Sequence, residues 1–435
     1  MEPFGQRDIA GLFGEGGVAG FLQAHWGRGP WHGHGDPGRL RAMFSPEAFW
    51  DLVARPAGAP RVKARYTTRD GAERDLHDVP GRLAQGLLDA GMTLCASQLD
   101  ASAPGLAAFT RAARTVLGFA GGAAVNLYAS PDGRGFGWHY DCEHVLVFQV
   151  DGAKRWESSV HPATPWPPVF LPSDAALDPT VDPRVAALGT VVAPPPDGVR
   201  DLADTVTLTP GDVLYLPPGA WHRTAAQDRS VSLTLSLHPL SFARALRACA
   251  TAAEGASPAW RAEALPSGWA PLRAGAYGQS SGALPSDIAD PLAAWLTEAR
   301  SWLAALDPVA LVHGARSVLR PPGPFDRGGE SLHTAFRGQR FPSPGQSVTR
   351  GAMLRAALVG EAVGRVAWRQ DLSPVAWPAG DGDPSAGAAE VLAARLTEAR
   401  AWLAALGPED LAGPLRAALA RQGDGGWWDA ALAHL

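Results

Sequence analysis

The chain has 435 residues, a net charge of −5 and a pI near 6.2. This length exceeds what one typical hydrophobic core holds, so two or three domains are expected. The weak acidic balance gives no electrostatic attraction to nucleic acid or to an anionic membrane surface, and neither is expected as a partner. No uninterrupted apolar run in the sequence approaches the roughly 20 residues of a membrane helix.

Cysteine usage and the N-terminal residues predict a cytoplasmic protein. Cys95, Cys142 and Cys249 are odd in number and widely spaced, which argues against a disulfide framework and for a reducing compartment. The first residues lack the basic and apolar regions of a signal peptide. An apolar fraction of 46% is typical of a globular chain, whereas 50 glycines and 39 prolines predict long loops.

Short helices and extended segments are predicted near the N-terminus. An amphipathic helix begins near Phe21 and ends at Gly27. His32 and His34 form a His-Gly-His sequence, which can bind a metal or lie in a flexible loop, and the glycines around it favour the loop. A second helix runs from Ser45 to Val53, with Ser45 as its N-cap and a proline at its first position.

Strands dominate the next part of the chain. A strand at Leu94 to Leu99 and a helix at Gly105 to Leu117 come first. The strands predicted after this helix are Ala123 to Ser130, Val145 to Val150, Thr205 to Leu208, Val213 to Leu216 and Ser230 to Leu237. Short strands between Gly/Pro turns are typical of a double-sheet jelly roll, so an α+β fold is expected.

The sequence from Gly137 to Trp156 contains a candidate pair of metal ligands, His139 and Asp141. On a strand, a spacing of two puts both side chains on one face. An imidazole and a carboxylate are two of the three ligands in the facial triad of non-haem Fe(II) enzymes. Alone, this pair is also compatible with an ordinary polar strand face.

A third candidate ligand, His222, closes the sequence that begins at Leu208. A Pro-Gly-Asp turn leads into an apolar strand, a Pro-Pro-Gly turn follows, and His222 opens the next strand. Such a unit can carry His222 back across a barrel to His139 and Asp141.

Together these sequences resemble the JmjC-type cupins of the ribosomal-oxygenase group, which are Fe(II)- and 2-oxoglutarate-dependent protein hydroxylases. The shared pattern is His-Tyr-Asp, a strand ending Gln-x-x-Gly-x-Lys-Arg-Trp, and Pro-Gly-Asp-x-Leu-Tyr-x-Pro-x-Gly-x-x-His. The resemblance covers roughly residues 10–275. It implies a double-stranded β-helix with N-terminal helices, Fe(II) bound by His139, Asp141 and His222, and 2-oxoglutarate and O2 as cosubstrates.

Polar residues on the inward faces of the predicted strands are candidates for binding 2-oxoglutarate. They are Asn126, Tyr128, Lys154, Thr234 and Ser236. Buried polar groups need partners, and a dicarboxylate satisfies several of them together. The resemblance implies that Lys154 pairs with the distal carboxylate and that Asn126 and Tyr128 make further contacts. Alternatively, Lys154 lies at a solvated strand end beside Gly152.

Other residues around the ligands are assigned less specific roles. The proline-rich segment Val160 to Asp204 is predicted to be a loop without extra strands, either a wall of the substrate groove or a surface insertion. His144 has the opposite strand parity to His139 and is placed outside the ligand set. Core packing is the predicted role of Trp138, Trp156 and Trp221, and Trp138 can also line the substrate groove.

Beyond Pro239 the sequence becomes helical and contains a repeat. Leu292 to Leu306 recurs as Leu392 to Leu406, with only two differences between the copies. Its apolar seam predicts packing against another helix, as a dimerisation or substrate-docking module or as a helical domain packed against itself. The expected domains are a cupin domain at 1–240, a helical region at 241–310 that is a candidate for dimerisation, and a helical or winged-helix-like module at 311–435.

The predicted function is that of an Fe(II)/2-oxoglutarate oxygenase. Its expected reaction is hydroxylation of a side chain in a protein or peptide, either a ribosomal protein or a biosynthetic precursor peptide, by a homodimer. Two alternatives remain: a hydroxylase of a free amino acid or other metabolite, and a non-catalytic metal-binding cupin. Demethylation of N-methyl-lysine uses the same chemistry.

Overall fold

The computed structural model describes residues 5–13, 16–55, 59–69, 73–172, 192, 195, 202–262, 284, 286–319, 349–373 and 382–411. The chain divides into two compact units. The first comprises residues 1–186 and 190–239, and the second comprises residues 187–189 and 240–435. None of the helices in the described ranges has the length and apolar character needed to cross a bilayer.

The first unit is built on an 11-stranded antiparallel sheet. Its strands are β1 (Trp31–His34), β2 (Arg61–Thr67), β3 (Glu73–Val79), β4 (Thr93–Ser97), β5 (Gly122–Ser130), β6 (Gly135–Tyr140), β7 (His144–Ser159), β8 (Leu171–Pro172), β9 (Leu202–Leu208), β10 (Asp212–Leu216) and β11 (His222–His238).

Short helices precede and separate the first strands. They are α1 (Gln6–Gly11), α2 (Gly17–Ala24), α3 (Pro37–Met43), α4 (Pro46–Val53), α5 (Gly81–Asp89) and α6 (Pro104–Val116), with a 3-10 turn at Leu99–Ala101. The predicted cap of α4 is confirmed, because Ser45 Oγ accepts a hydrogen bond from the backbone N–H of Ala48. A proline follows this cap at the first helical position.

Two long strands, β7 and β11, make the sheet fold over on itself. The first half of β7 pairs with β10 and its second half with β9, while β11 pairs first with β6 and then with β5. The strands shift register between Gln227 and Val231, close to Gly152, which has a φ of 62°. Each long strand therefore belongs to two facing layers. The predicted double-stranded β-helix is confirmed.

The strands bury opposite faces in two separate clusters. The larger cluster lies outside the barrel and includes Val125 and Leu127 of β5 and Leu233 and Leu235 of β11, packed with the N-terminal helices. The smaller cluster lies between the layers and contains Val145, Val147, Trp156, Leu208, Leu214 and Leu216. Side chains alternate along a strand. The residues next to these four in β5 and β11 therefore point into the barrel.

The described residues of the second unit are helical, apart from an isolated bridge between Ser241 and Asp371. The helices are α7 (Phe242–Ala256), α8 (Pro258–Arg261), α9 (Ser286–Ala305), α10 (Pro308–Leu319), α11 (Arg350–Gly364), α12 (Val366–Arg369) and α13 (Ala386–Ala405). Residues 412–435, which were expected in the last module, lie outside the described ranges.

The two copies of the repeat, α9 and α13, pack against each other within one chain. Their equivalent seam residues are buried: Leu292, Leu296, Ala299 and Leu303 in α9, and Leu392, Leu396, Ala399 and Leu403 in α13. Arg300 donates to the carbonyls of Leu403, Ala404 and Leu406, and Arg400 donates to those of Leu303, Ala304 and Leu306. Of the alternatives for the seam, the structure shows a helical unit packed against itself.

Two expectations for the first unit are wrong. His32-Gly33-His34 is not a flexible loop, because these residues form β1 and pair with β10. The proline-rich segment from Val160 contributes a strand, because Leu171–Pro172 pairs with the end of β6. Pro172 has no N–H to offer, which is tolerated in so short an edge strand. Of residues 173–201, the structure describes only 192 and 195.

Candidate metal centre and cosubstrate pocket

The three predicted metal ligands come together at one end of the barrel. His139 of β6 lies directly opposite His222 of β11 in the strand register. Asp141 was expected on the same strand as His139, but β6 ends at Tyr140 and Asp141 lies in the turn that follows. The turn still brings the carboxylate to both imidazoles.

The distances between these side chains are suitable for one shared ion. One ligand atom from each of His139, Asp141 and His222 lies within 4.8 Å of the others. His222 Nε2 is 3.6 Å from Asp141 Oδ2, and the two histidine ring centroids are 4.1 Å apart. Two imidazoles and one carboxylate form the donor set that binds non-haem iron with open positions.

Backbone carbonyls orient the two histidines. His139 Nδ1 donates to the Gly137 carbonyl at 2.7 Å, and His222 Nδ1 donates to the Ala220 carbonyl at 2.9 Å. In both rings this leaves Nε2 as the atom with a free lone pair. Such hydrogen bonds fix the tautomer and orientation of histidines that bind metals.

The Pro-Pro-Gly turn before β11 also holds the segment that carries Asp141. The backbone N–H of Gly219 donates to the Asp141 carbonyl at 2.8 Å. Gly219 has a φ of 82°, and a β-carbon there would lie 2.4 Å from the Thr164 carbonyl oxygen. Glycine is therefore required at this position, and the turn links the segment carrying Asp141 to the one carrying His222.

The electrostatic environment keeps His139 neutral. Burial, reinforced by the neighbouring His222, lowers the pKa of His139 to about 3. A neutral imidazole is the form that binds a metal ion. Burial and the charge of Asp141 raise the pKa of Glu143 to about 7.

The candidate cosubstrate residues all lie on the inward faces of their strands. Asn126 and Tyr128 alternate with outward apolar residues of β5, Thr234 and Ser236 alternate with those of β11, and Lys154 shares its face of β7 with Trp156. Thr234 pairs directly with Asn126 across β5 and β11. The structure therefore groups these five residues inside the barrel.

Lys154 is a buried cation without an acidic partner. Its exposure is 1%, and within the described ranges no carboxylate forms an ion pair with it. Its Nζ lies 6.0 Å from the centroid of the Tyr128 ring, which belongs to the opposite layer. Lys154 is thus not at a solvated strand end. A buried unpaired ammonium group is costly, so this position favours an anionic ligand.

Asn126 and Ser236 are already bonded to other protein groups. Asn126 Oδ1 accepts from the backbone N–H of Gln98 at 3.0 Å, and its Nδ2 donates to Ser236 Oγ at 3.3 Å. These bonds fix the orientation of the amide group in the barrel.

Two further polar groups in the barrel were not predicted from the sequence. The indole N–H of Trp156 and the hydroxyl of Ser232 are buried and have no hydrogen-bond partner among the described residues. The Trp156 and His222 ring centroids are 5.9 Å apart. Ser232 follows the same alternation as Thr234 and Ser236, which was the available signal. Unpaired donors on the inward faces of β7 and β11 fit an oxygen-rich ligand.

Aromatic residues form a wall beside His139. Phe136 and Phe170 have ring centroids 5.8 Å and 5.7 Å from that of His139. Phe170 belongs to the proline-rich segment, which therefore contributes to the surroundings of the site. Trp138 is half-buried and stacks with the Arg223 guanidinium at 4.9 Å. A cavity of about 320 Å³ adjoins this wall and is lined in part by Phe136 and Arg223.

Residues placed outside the ligand set pack in the core. His144 is fully buried, bonds to the Tyr215 hydroxyl through Nδ1 at 2.8 Å and stacks on Trp26. Trp221 is buried against Tyr140. The three cysteines are buried and form no disulfide.

Comparisons with known proteins agree with this geometry. Residues 108–245 match the JmjC domain model. The uncharacterized protein YxbC of Bacillus subtilis is 32% identical over 110 residues, which are 25% of this chain and 32% of that protein. Ribosomal oxygenase 1 of Rattus norvegicus is 30% identical over 184 residues, 40% of this chain and 27% of that protein.

Among solved structures, YcfD, a ribosomal oxygenase from Escherichia coli in complex with cobalt and 2-oxoglutarate, is similar with a TM-score of 0.42 and 17% identity, covering 67% of this chain and 70% of that one. The matching part spans about a third or less of the two curated relatives. Residues 108–245 therefore carry a JmjC domain, and the chain is similar in part to a protein named ribosomal oxygenase.

Proposed function

We propose that this protein is an Fe(II)- and 2-oxoglutarate-dependent oxygenase that hydroxylates a side chain in a protein or peptide. The observation that carries the proposal is the combination of a two-histidine, one-carboxylate centre with a buried, unpaired Lys154 in the same barrel. The first feature fits a metal with open positions, and the second fits an anion bound beside it.

Each group has a defined task in this proposal. His139, Asp141 and His222 would hold the metal, which supplies oxygen activation coupled to oxidative decarboxylation of 2-oxoglutarate. Lys154 would pair with the distal carboxylate of the cosubstrate. Trp156 and Ser232 offer hydrogen-bond donors to its oxygens, while Asn126, Tyr128, Thr234 and Ser236 shape the pocket. The apolar strand residues exclude water from the reacting groups.

A polypeptide is the proposed substrate. The cavity lined in part by Phe136 and Arg223 adjoins the aromatic wall beside His139, and this supports a substrate that extends beyond the metal centre. The similarity to proteins named ribosomal oxygenases also supports a ribosomal protein or another peptide as substrate. Hydroxylation is proposed over demethylation, and a cytoplasmic homodimer remains a prediction.

The proposal is tested by incubating the full chain with Fe(II), ascorbate, 2-oxoglutarate and pools of ribosomal proteins or peptides, followed by mass spectrometry. We expect a gain of one oxygen atom on a peptide, with matching formation of succinate. The His139→Ala variant is the matched negative control. A free amino acid oxidised at full rate, with no competition from any peptide, supports the metabolite alternative. Loss of a methyl group supports demethylation.

A further inference from the structure

A second cluster of two histidines and one carboxylate lies at the β1–β10 edge of the sheet. His34 of β1 is directly opposite Asp212 of β10 in the register. His32 is two residues earlier on β1 and therefore points to the same side as His34. The cluster shares no residue with the centre formed by His139, Asp141 and His222.

The ligand atoms of this second cluster are close and well anchored. One atom from each of His32, His34 and Asp212 lies within 4.8 Å of the others. His32 Nε2 is 3.6 Å from Asp212 Oδ1, and His34 Nδ1 donates a hydrogen bond to the same oxygen. The other oxygen, Oδ2, accepts from the backbone N–H and the hydroxyl of Thr209 at 2.7 and 2.9 Å. Thr209 thus fixes the carboxylate with Oδ1 towards both histidines.

The backbone under the histidines is also fixed. The N–H of Gly35 donates to the Gly211 carbonyl at 2.7 Å, beyond the end of the strand pair. A β-carbon on Gly33 would lie 2.2 Å from the Trp31 ring and 3.0 Å from the Leu12 carbonyl. A side chain here would require the Trp31 ring to move. The position between the two histidines therefore packs inward, while the histidines point outward.

Solvent can reach the cluster. The side-chain exposures are 33% for His32, 74% for His34 and 10% for Asp212. Three protein ligands with an open side leave room for a water molecule in the fourth position, which is a common arrangement around zinc. An ion can also enter without any movement of the core.

We propose that His32, His34 and Asp212 form a second binding site for a divalent transition metal, with Zn²⁺ as the ion that best fits this donor set. Ligand distances of about 2.0–2.2 Å require the His34–Asp212 hydrogen bond to open by a small side-chain movement. The metal takes the place of the hydrogen-bonded proton on Nδ1, and the neutral imidazole then carries its proton on Nε2. The bound ion would join β1 to β10 and so strengthen one edge of the barrel.

The test uses the full-length His139→Ala/Asp141→Ala/His222→Ala variant, in which the proposed iron centre is removed. Equilibrium dialysis against Zn²⁺, with metal analysis, should find one zinc per chain with micromolar or tighter affinity. Adding His32→Gln and His34→Gln should weaken this binding at least about 30-fold. Both histidines are exposed, so these changes should not prevent folding. His77→Gln, an exposed histidine on β3, is the matched control and should leave zinc binding unchanged.

Thermal unfolding gives an independent readout. Because zinc binds the folded chain, a hundredfold excess over its Kd should raise the Tm of the triple variant by about 5–10 °C, and this shift should vanish with His32→Gln/His34→Gln. The proposal is overturned if the triple variant binds no zinc at micromolar concentration. It is also overturned if zinc binding is unaffected by His32→Gln/His34→Gln, because the ion is then bound elsewhere in the chain. Neither outcome changes the proposed oxygenase function.

Discussion

His139 and His222 face each other across two paired strands, with ring centroids 4.1 Å apart and both Nδ1 atoms bonded to backbone carbonyls. The strand register sets their separation, and the carbonyls set their orientation. The two imidazoles are therefore arranged for metal binding by the backbone itself. Asp141 completes the set from a turn held by Gly219.

The first prediction concerns the metal ligands. His139→Ala or Asp141→Ala should weaken Fe(II) binding by at least about 100-fold and abolish turnover, because only three protein groups hold the ion. Metal analysis after anaerobic dialysis and succinate formation are the two measurements. His77→Gln, remote from either histidine cluster in sequence and on an exposed strand, should behave as the unchanged chain. Near-normal turnover in either alanine variant would remove these residues from the ligand set.

A second prediction concerns Lys154. The Lys154→Ala variant should need roughly 10–150-fold more 2-oxoglutarate for half-saturation, because a charge-assisted hydrogen bond contributes about 1.5–3 kcal/mol. Fe(II) binding should be retained. The matched control is Arg155→Ala, since Arg155 points outward and pairs with Glu157. Equal effects of the two alanines would show that the cosubstrate does not contact Lys154.

The binding of 2-oxoglutarate should also depend on pH through Lys154. Burial lowers the pKa of Lys154 to about 8, so the ammonium group is charged below this pH and neutral above it. Affinity should be nearly constant below that value and fall by about tenfold per pH unit well above it. In Lys154→Arg the guanidinium stays charged, so the fall should disappear. An equally steep fall in that variant would assign the pH dependence to another group.

The sequence predicted the barrel well because its signals are local. Alternation along β5 and β11 placed Asn126 and Thr234 on the inward face, and the turn before His222 marked the start of β11. The same alternation also places Ser232 on the inward face of β11. Lys154 was correctly placed on β7, but its lack of an acidic partner depends on residues from other strands and is visible only in the structure.

The errors arose where distant contacts decide the local structure. The glycines around His32 and His34 suggested a loop, but Gly33 lies close to the Leu12 carbonyl and β1 pairs with β10, and neither contact can be read from neighbouring residues. The prolines after Val160 suggested a loop without strands, yet Pro172 pairs opposite His139 at a sheet edge. In the second unit, the sequence showed the repeat and its apolar seam, but it did not show that the seams of the two copies pack against each other.

A fourth prediction concerns that repeat. Arg300→Ala and Arg400→Ala should each destabilise the pair of repeated helices by about 1–2 kcal/mol, because each removes hydrogen bonds to carbonyls at the end of the other helix. Hydrogen-exchange mass spectrometry should show faster exchange in both α9 and α13, by a similar factor in the two variants. The control is Arg395→Ala, which removes a partly exposed ion pair with Glu398 within one helix and should change exchange little. Unequal effects would contradict the symmetric packing.

The most direct measurement is anaerobic equilibrium dialysis of the full chain with Fe(II) and radiolabelled 2-oxoglutarate. We predict one 2-oxoglutarate retained per chain only when iron is present, with retention lost in His139→Ala and strongly reduced in Lys154→Ala. Absence of oxygen prevents turnover, so the measurement needs no knowledge of the substrate. Stoichiometric iron without any retained 2-oxoglutarate, or retention unaffected by both substitutions, would contradict an Fe(II)/2-oxoglutarate oxygenase.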